Sequence, residues 1–419
     1  MPRLGPWPPP PERRRRSDVV ATVGIVVVLA VSVTVLWATS RAAGTASAPA
    51  ATPVPLPPPV SDVPAAFVEA WRAPSGATKT PVVAGPVVVT GEGGTVAGRD
   101  AATGEVRWSY ARDLPLCTVG SGFPDVDRGL GRALALYRDD DWCSELVSLR
   151  PDTGARDRAR NPDVRPGSRL LETGSLVTAT GSNYFEVFRS DLVETVEYGD
   201  VPTPRQVGRQ PRPTCRSTGF AATGGRLAVL QNCPGERTER LTVVDPDGAE
   251  ADKPQEQFSV QLSGADATLV AVSEDRVAIA LPDPPRLELR DGQGATIESV
   301  VLDVPASDLD RRPPGGVATV TRDGDRTYWW TGSHTVALDG VDLTPRWTLR
   351  DTLGPAVSYA GALVVPVPDG LAIVDGRSGE VVEKRRVDRG SADVPVAPAV
   401  LGDVLVEQRG PELVALRPA

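Results

Sequence analysis

From residue 67 to the end of the chain, apolar residues come in short runs rich in Val, Leu and Ala, each followed by a turn signal. The clearest unit starts with Pro81-Val82-Val83-Ala84-Gly85 and Pro86-Val87-Val88-Val89-Thr90. Its second half is Ala97-Gly98-Arg99-Asp100-Ala101-Ala102-Thr103-Gly104-Glu105-Val106-Arg107-Trp108. This pattern predicts four antiparallel strands joined by tight turns. Val87 to Val89 is a β-branched run suited to a strand buried on both faces. Asp100 can accept backbone hydrogen bonds from residues just ahead of it, and Gly104 can take the positive φ that ends such a turn. Trp108, on the last strand, is large enough to fill the gap to a neighbouring sheet.

One such sheet cannot bury both of its faces, and stacking copies around an axis can. Six further units follow the first. Their marker runs are Ala133–Tyr137 with Glu145–Arg150, Leu176–Ala179 with Tyr184–Phe188, and Arg226–Leu230 with Leu241–Val244. The remaining three are Arg276–Ala280 with Leu287–Leu289, Thr327–Trp330 with Thr335–Leu338, and Ala362–Val365 with Leu371–Val374. The last stretch offers Asp403–Val406 and Leu413–Leu416, with no outer strand after them. An unmatched strand stands at the other end, Phe67–Arg72, with Trp71 placed like Trp108. Adding it to the last sheet closes the ring and removes an open edge. The expected fold is therefore all-β: an eight-bladed β-propeller closed by an N-terminal strand. Seven blades remain open if the weakly marked third or fifth unit is something else.

The pattern Ala-x-x-Asp-Ala-x-Thr-Gly-Glu-x-x-Trp resembles the repeat of PQQ-like β-propellers, the quinoprotein alcohol dehydrogenase-like family. The first unit matches at Asp100, Thr103, Gly104, Glu105 and Trp108, and the seventh at Asp375, Gly379 and Glu380 without the Trp. The resemblance covers residues 67–419. It implies the fold and is nearly silent on function, because one fold hosts many activities. Quinoprotein enzymes of that family combine a calcium ion, an acidic base, adjacent cysteines and a stacking Trp. This chain has no Cys-Cys pair, and no unit carries recognisable residues for PQQ or calcium, so neither cofactor is expected.

Ahead of the repeats, Val19–Ala38 is 20 residues without a charge, preceded by Arg13-Arg14-Arg15-Arg16. At 1.5 Å per residue it spans about 30 Å, the hydrocarbon thickness of a bilayer. The expected organisation is a cytoplasmic Pro/Arg-rich tail (1–18), a transmembrane helix (19–38), an Ala/Pro-rich linker (39–66) acting as an extended spacer, and the propeller (67–419). The positive-inside rule puts the propeller outside the cytoplasm, in the cell envelope. The rival is a cleaved signal peptide with Ala46-Ser47-Ala48 as its site. The whole chain carries −9, and the first 41 residues carry six Arg against Glu12 and Asp18, or +4, which leaves −13 for the rest. Such an acidic domain excludes nucleic acid as a partner class and direct adhesion to anionic headgroups.

The four cysteines, Cys117, Cys143, Cys215 and Cys233, allow three pairings from sequence alone. The propeller register selects Cys117 with Cys143 and Cys215 with Cys233, since each pair then falls on loops of one face. That face is the expected binding surface, with Trp142 and Arg216 as its named contacts. The single His334 sits in a turn, and no metal cluster or Ser-His-Asp arrangement stands out. Asp139-Asp140-Asp141 and Asp323-Gly324-Asp325 lack the spacing of a calcium loop. The basic connector Arg205, Arg209, Arg212 and Arg216 reads as a solvated loop. The resulting expectation is a membrane-anchored, non-catalytic binding or scaffold module for a protein, peptide or cell-envelope component. The alternative is a quinoprotein-like enzyme or ligand sensor with its site in the central channel.

Overall fold

The apolar runs become the inner layers of eight four-stranded antiparallel sheets. The computed structural model describes residues 16–38, 40, 42–390 and 394–419. It divides into a leading unit, Met1–Thr45, and the propeller, Ala46–Ala419. In the leading unit Arg16–Ala38 is one 23-residue helix with no buried residue, long and apolar enough to cross a membrane. Residues 1–15 of the tail, Arg13 to Arg15 among them, lie outside the described residues, and Arg16 to Asp18 form the first turn of the helix.

Blade 1 is built from Val82–Ala84, Val87–Glu92, Thr95–Arg99 and Val106–Arg112, in that order from the axis outward. Blades 2 to 7 repeat this order, each sheet made from four consecutive strands. The third and fifth units are full blades, Leu170–Gly199 and Thr268–Val301, so the count is eight. The eighth blade joins Val396–Leu401, Val404–Arg409 and Glu412–Pro418 to Phe67–Pro74. Phe67 faces Pro418 and Pro74 faces Glu412 across that seam. The ring is thus closed by hydrogen bonds between the two ends of the domain, which give the last sheet its fourth, outer strand.

Second and third strands are the driest, as a position between two neighbouring blades requires. Ala133 to Tyr137 and Val277 to Ala280 are fully buried along their length. The outer strand of blade 5, Thr296–Val301, is almost wholly exposed. The turns that end the third strands are held by their aspartates. Asp100 Oδ1 accepts from the amides of Ala102 and Thr103 at 3.1 and 3.0 Å. Asp375 Oδ1 does the same for Arg377 and Ser378 at 3.0 and 2.8 Å.

The glycine that follows serves the next blade's neighbour. Gly104 has φ +73, and a Cβ there would stand 2.5 Å from the ring of Trp71. Gly379 has φ +78 and would meet Trp347 at 2.6 Å. Each tryptophan comes from the outer strand of the preceding blade and donates its indole N–H to the turn it covers. Trp71 Nε1 donates to Ala101 O at 2.7 Å, Trp108 Nε1 to Pro151 O at 2.8 Å, and Trp347 Nε1 to Gly376 O at 3.0 Å. Positive φ and a bare Cα are both needed for a ring to lie that close. The repeat motif is therefore a latch between blades, used at the 8–1, 1–2 and 6–7 boundaries.

One expectation needs correcting. The linker 39–66, expected to act as an extended spacer, lies along the propeller over its residues 46–66. The strand Thr45–Ala48 adds to the outer edge of the blade 1 sheet. Ala50 N and Val54 N then donate to Thr153 O and Asp152 O, each at 2.9 Å, and Val54 is buried in the blade 1–2 core. Farther on, Pro57 packs at Gly402 in blade 8, Val60 and Val63 join the blade 7–8 core, and Arg385 Nε donates to Pro64 O at 2.9 Å. The strap crosses the seam that closes the ring. Proline costs it nothing in lost amide donors, because it runs as a single unpaired strand for most of this length.

Candidate functional site

Two kinds of loop share one face of the ring: the connectors between blades, and the hairpins joining second to third strands. Both disulfides lie there. Cys117, in the innermost strand of blade 2, is bonded to Cys143 at the start of that blade's third strand. Cys215, at the end of the connector into blade 4, is bonded to Cys233 just past that blade's second strand. The pairing is the one that the blade register selects.

The first bridge is tied further to the next connector. Cys143 N donates to Val164 O at 2.8 Å, and the Arg165 guanidinium lies 4.0 Å from the centroid of the Trp142 ring. Trp142 is therefore half-buried under Arg165 rather than free. Arg216 is exposed, next to Cys215. The structure puts the two residues on the same face but in blades 2 and 4, with blade 3 between them. The basic connector before Arg216 is partly held down: Arg209 and Arg212 pair with Glu250 and Glu256, each at 2.8 Å.

The axial mouth on this face is occupied by the chain itself. The connector from blade 5 to blade 6, residues 302–319, contains the short helix Ala306–Leu309 and a 3-10 turn Pro314–Gly316. It reaches across the axis, so that a Cβ on Gly315 would meet Arg169 Cγ at 2.5 Å and one on Gly316 would meet Thr218 O at 2.9 Å. Val317 packs with the Phe220 cluster of blades 3 and 4. The plug is pinned by Asp308, whose Oδ2 accepts from Thr331 Oγ1 at 2.6 Å, Ser333 N at 3.0 Å and Ser333 Oγ at 2.8 Å.

His334 Nδ1 stands 2.7 Å from Ser333 Oγ. An aspartate, a serine and the histidine thus do meet, across 25 residues of sequence, although no arrangement of them was legible beforehand. They are not wired as a nucleophile relay. The serine proton goes directly to Asp308, so Nδ1–H donates to Ser333 Oγ, whereas a relay needs the imidazole to accept from the serine. The network anchors the plug.

Beside the plug lies a cavity of about 520 Å³, lined among others by Lys79, Arg169, Leu171, Val317, Trp330 and Val396. Its walls come from blades 1, 3, 6 and 8 and from the plug, which places it on the axis. Burial, with no carboxylate to offset it, pushes the Arg169 guanidinium down to about 10. Farther along the channel, Glu172 and Arg322 are exposed to it.

A separate polar cluster lies between the outer strands of blade 3. Tyr184 Oη donates to Glu186 Oε1 at 2.7 Å, and Asp163 N donates to the same oxygen at 3.2 Å. Glu186 faces Glu197 directly across the strand pair, and each keeps one buried carboxyl oxygen without a partner. Burial, then the charge of Glu194, pushes Glu186 up to about 8; burial, then Glu197, pushes Glu194 up to about 7. Among the described residues no three His, Cys, Asp or Glu side chains are grouped to hold a metal ion.

No family model and no curated protein matches the chain. Solved structures do. BamB from Moraxella catarrhalis is 15% identical over 84% of this chain and 99% of its own, with a TM-score of 0.48. The dihydro-heme d1 dehydrogenase NirN is 14% identical over 88% of this chain and 73% of its own, with a TM-score of 0.50. The quinohemoprotein alcohol dehydrogenase ADHIIG from Pseudomonas putida is 11% identical over 86% and 78%, with a TM-score of 0.47. At these identities the likeness bears on the fold alone, and the repeat latches agree with it. By fold, the protein is an eight-bladed β-propeller.

Proposed function

We propose that the protein is a membrane-anchored, extracytoplasmic binding or scaffold module, and that it works through the connector face of the propeller. The observation that carries this reading is the build of that face. Two disulfides clamp connectors to hairpins in blades 2 and 4, and the plug at residues 302–319 takes the space in the axial mouth. A rim stiffened in this way loses less conformational entropy when a partner orders it. Rigid scaffolds presenting loops are the usual setting for recognition. The helix Arg16–Ala38 supplies the anchor, the Arg run before it sets the orientation, and the disulfides fit an oxidising compartment. The dehydrogenase alternative needs an open channel for its chemistry, and the pinned plug weighs against it.

The partner class on this reading is a protein, a peptide or a cell-envelope component. A photocrosslinking residue placed at Arg216 on the connector face, or at Asp247 on the opposite face, tests it in native membranes. The reading expects one dominant adduct from position 216 and none from 247. Adducts from 247 alone would move the working surface to the other side of the ring.

A further inference from the structure

Arg169 is the starting observation. It enters blade 3 beside the axis, and among the described residues its guanidinium donates to Pro314 O of the plug alone, at a long 3.4 Å. Among the described residues no carboxylate lies within ion-pair distance of it. The chain is acidic, and other buried arginines are paired: Arg112 with Glu145 at 2.9 Å, Arg132 with Asp127 at 2.7 Å, Arg389 with Glu407 at 2.7 Å. A desolvated cation left without a counter-charge is costly to the fold. Keeping one at the wall of an open cavity makes sense when the counter-charge arrives from outside.

The cavity fits that role. Its described lining holds two cations, Lys79 and Arg169, and no acid. Most of the remaining wall is aliphatic: Leu170, Leu171, Val317, Val320, Val396 and Ala397. Trp330 is held in place by its indole N–H, which donates to Thr352 O at 3.2 Å. At about 520 Å³ the space lies within the range of small-ligand sites. An apolar chamber with a cationic corner selects an anion with an apolar body. A guanidinium favours a carboxylate, which it can meet with two parallel hydrogen bonds.

We propose that the axial cavity binds a carboxylate carried on a short apolar body, with Arg169 as the anion's direct partner and Lys79 as the second charge. The proposal rests on the binding-module reading and names a ligand class for the same face. Such a carboxylate has two sources, a free branched-chain acid or the C-terminus of a peptide ending in an aliphatic residue.

Calorimetric titration of the full chain in detergent tests it with three probes: 4-methylpentanoate, N-acetyl-Leu-Leu with a free C-terminus, and the same dipeptide as its C-terminal amide. Saturable binding of an acid, with the amide at least tenfold weaker, is the expected result. Tighter binding of the dipeptide acid than of the free acid assigns the peptide source; the reverse assigns the small acid. Arg169→Gln lowers affinity for the acids at least tenfold, leaves the amide unchanged, and melts no lower than the parent protein, because it removes an unneutralised charge. Lys79→Gln gives a smaller loss. Equal binding of acid and amide, or no saturable binding of any probe up to millimolar concentration, overturns the proposal. So does a marked fall in melting temperature for Arg169→Gln, which would make that residue a structural ion pair. None of these failures affects the crosslinking result at position 216, which tests the connector face as such.

Discussion

The buried carboxylates of blade 3 give the sharpest stability prediction. Glu186 is 4% exposed, and its proton is held to about 8 by burial and by Glu194. A carboxyl whose folded value lies above its unfolded value stabilises the fold while it is protonated. That contribution is complete below the ordinary 4.5 and is lost as pH rises through about 8. Each tenfold change in proton affinity corresponds to about 1.4 kcal/mol, which puts the loss on the order of 3 to 5 kcal/mol for this carboxyl in its cluster. For a domain of this size 1 kcal/mol moves the midpoint by roughly 1 °C, so the melting temperature should fall by several degrees between pH 5 and pH 9. In Glu186→Gln the amide replaces the shared proton: its oxygen still accepts from Tyr184 and its NH₂ faces the free oxygen of Glu197. The variant should match the parent near pH 5, exceed it near pH 9, and lose the part of the slope that Glu186 supplies, while Glu194, itself pushed up to about 7, keeps a smaller slope. Scanning calorimetry in matched buffers reads this directly. The carboxylates held low by their turns, Asp291 and Asp375 among them, lose their contribution only as pH falls through the acid range, so they leave this window clear. A Glu186→Gln profile parallel to the parent's from pH 6 to 9 would refute the reasoning.

Three further outcomes follow from the packing. Trp108→Ala removes a side chain that is 1% exposed and docks on Gly154; it should destabilise by about 3 to 5 kcal/mol, while Trp108→Phe should lose less, and chemical denaturation separates the two. Removing residues 1–45 should leave the propeller's melting temperature close to that of the full chain, whereas removing 1–66 strips Val54, Val60 and Val63 from their cores and should lower it; equal midpoints would mean the strap contributes nothing. Peptide mapping of unreduced protein should give Cys117 with Cys143 and Cys215 with Cys233, and reduction should lower stability by roughly 3 kcal/mol for each closed loop of 26 and 18 residues; a crossed pair would break the blade register.

What was legible in the sequence was what is local. The Asp100 and Asp375 turns and the Val87–Val89 run each state their conformation within a few residues, and the orphan strand around Trp71 announces the closure by having no unit of its own. The strap was not legible, because its contacts are spread singly through Pro- and Ala-rich sequence with no periodicity, and Val54 alone carries no pattern. The plug could have been noticed as one of the two longest connectors between blades, but its path across the axis to Arg169 and Thr218 depends on the ring being closed. Glu186 stands in the third strand of its blade and Glu194 and Glu197 in the fourth, and nothing local to either run marks them as a cluster. Only the pairing of the two strands, with Glu186 opposite Glu197, brings the three together, Glu186 buried and the other two half-buried. The same holds for Trp142, whose partner Arg165 lies in the next connector.

The central claim is that the disulfide-clamped connector face carries the binding function. It is tested most directly by measuring the affinity of the partner captured at position 216 for the full chain and for two charge reversals, Arg216→Glu on that face and Asp247→Lys on the opposite one. The account predicts at least a tenfold loss for Arg216→Glu and unchanged binding for Asp247→Lys. Unchanged binding for the first with a loss for the second would contradict it.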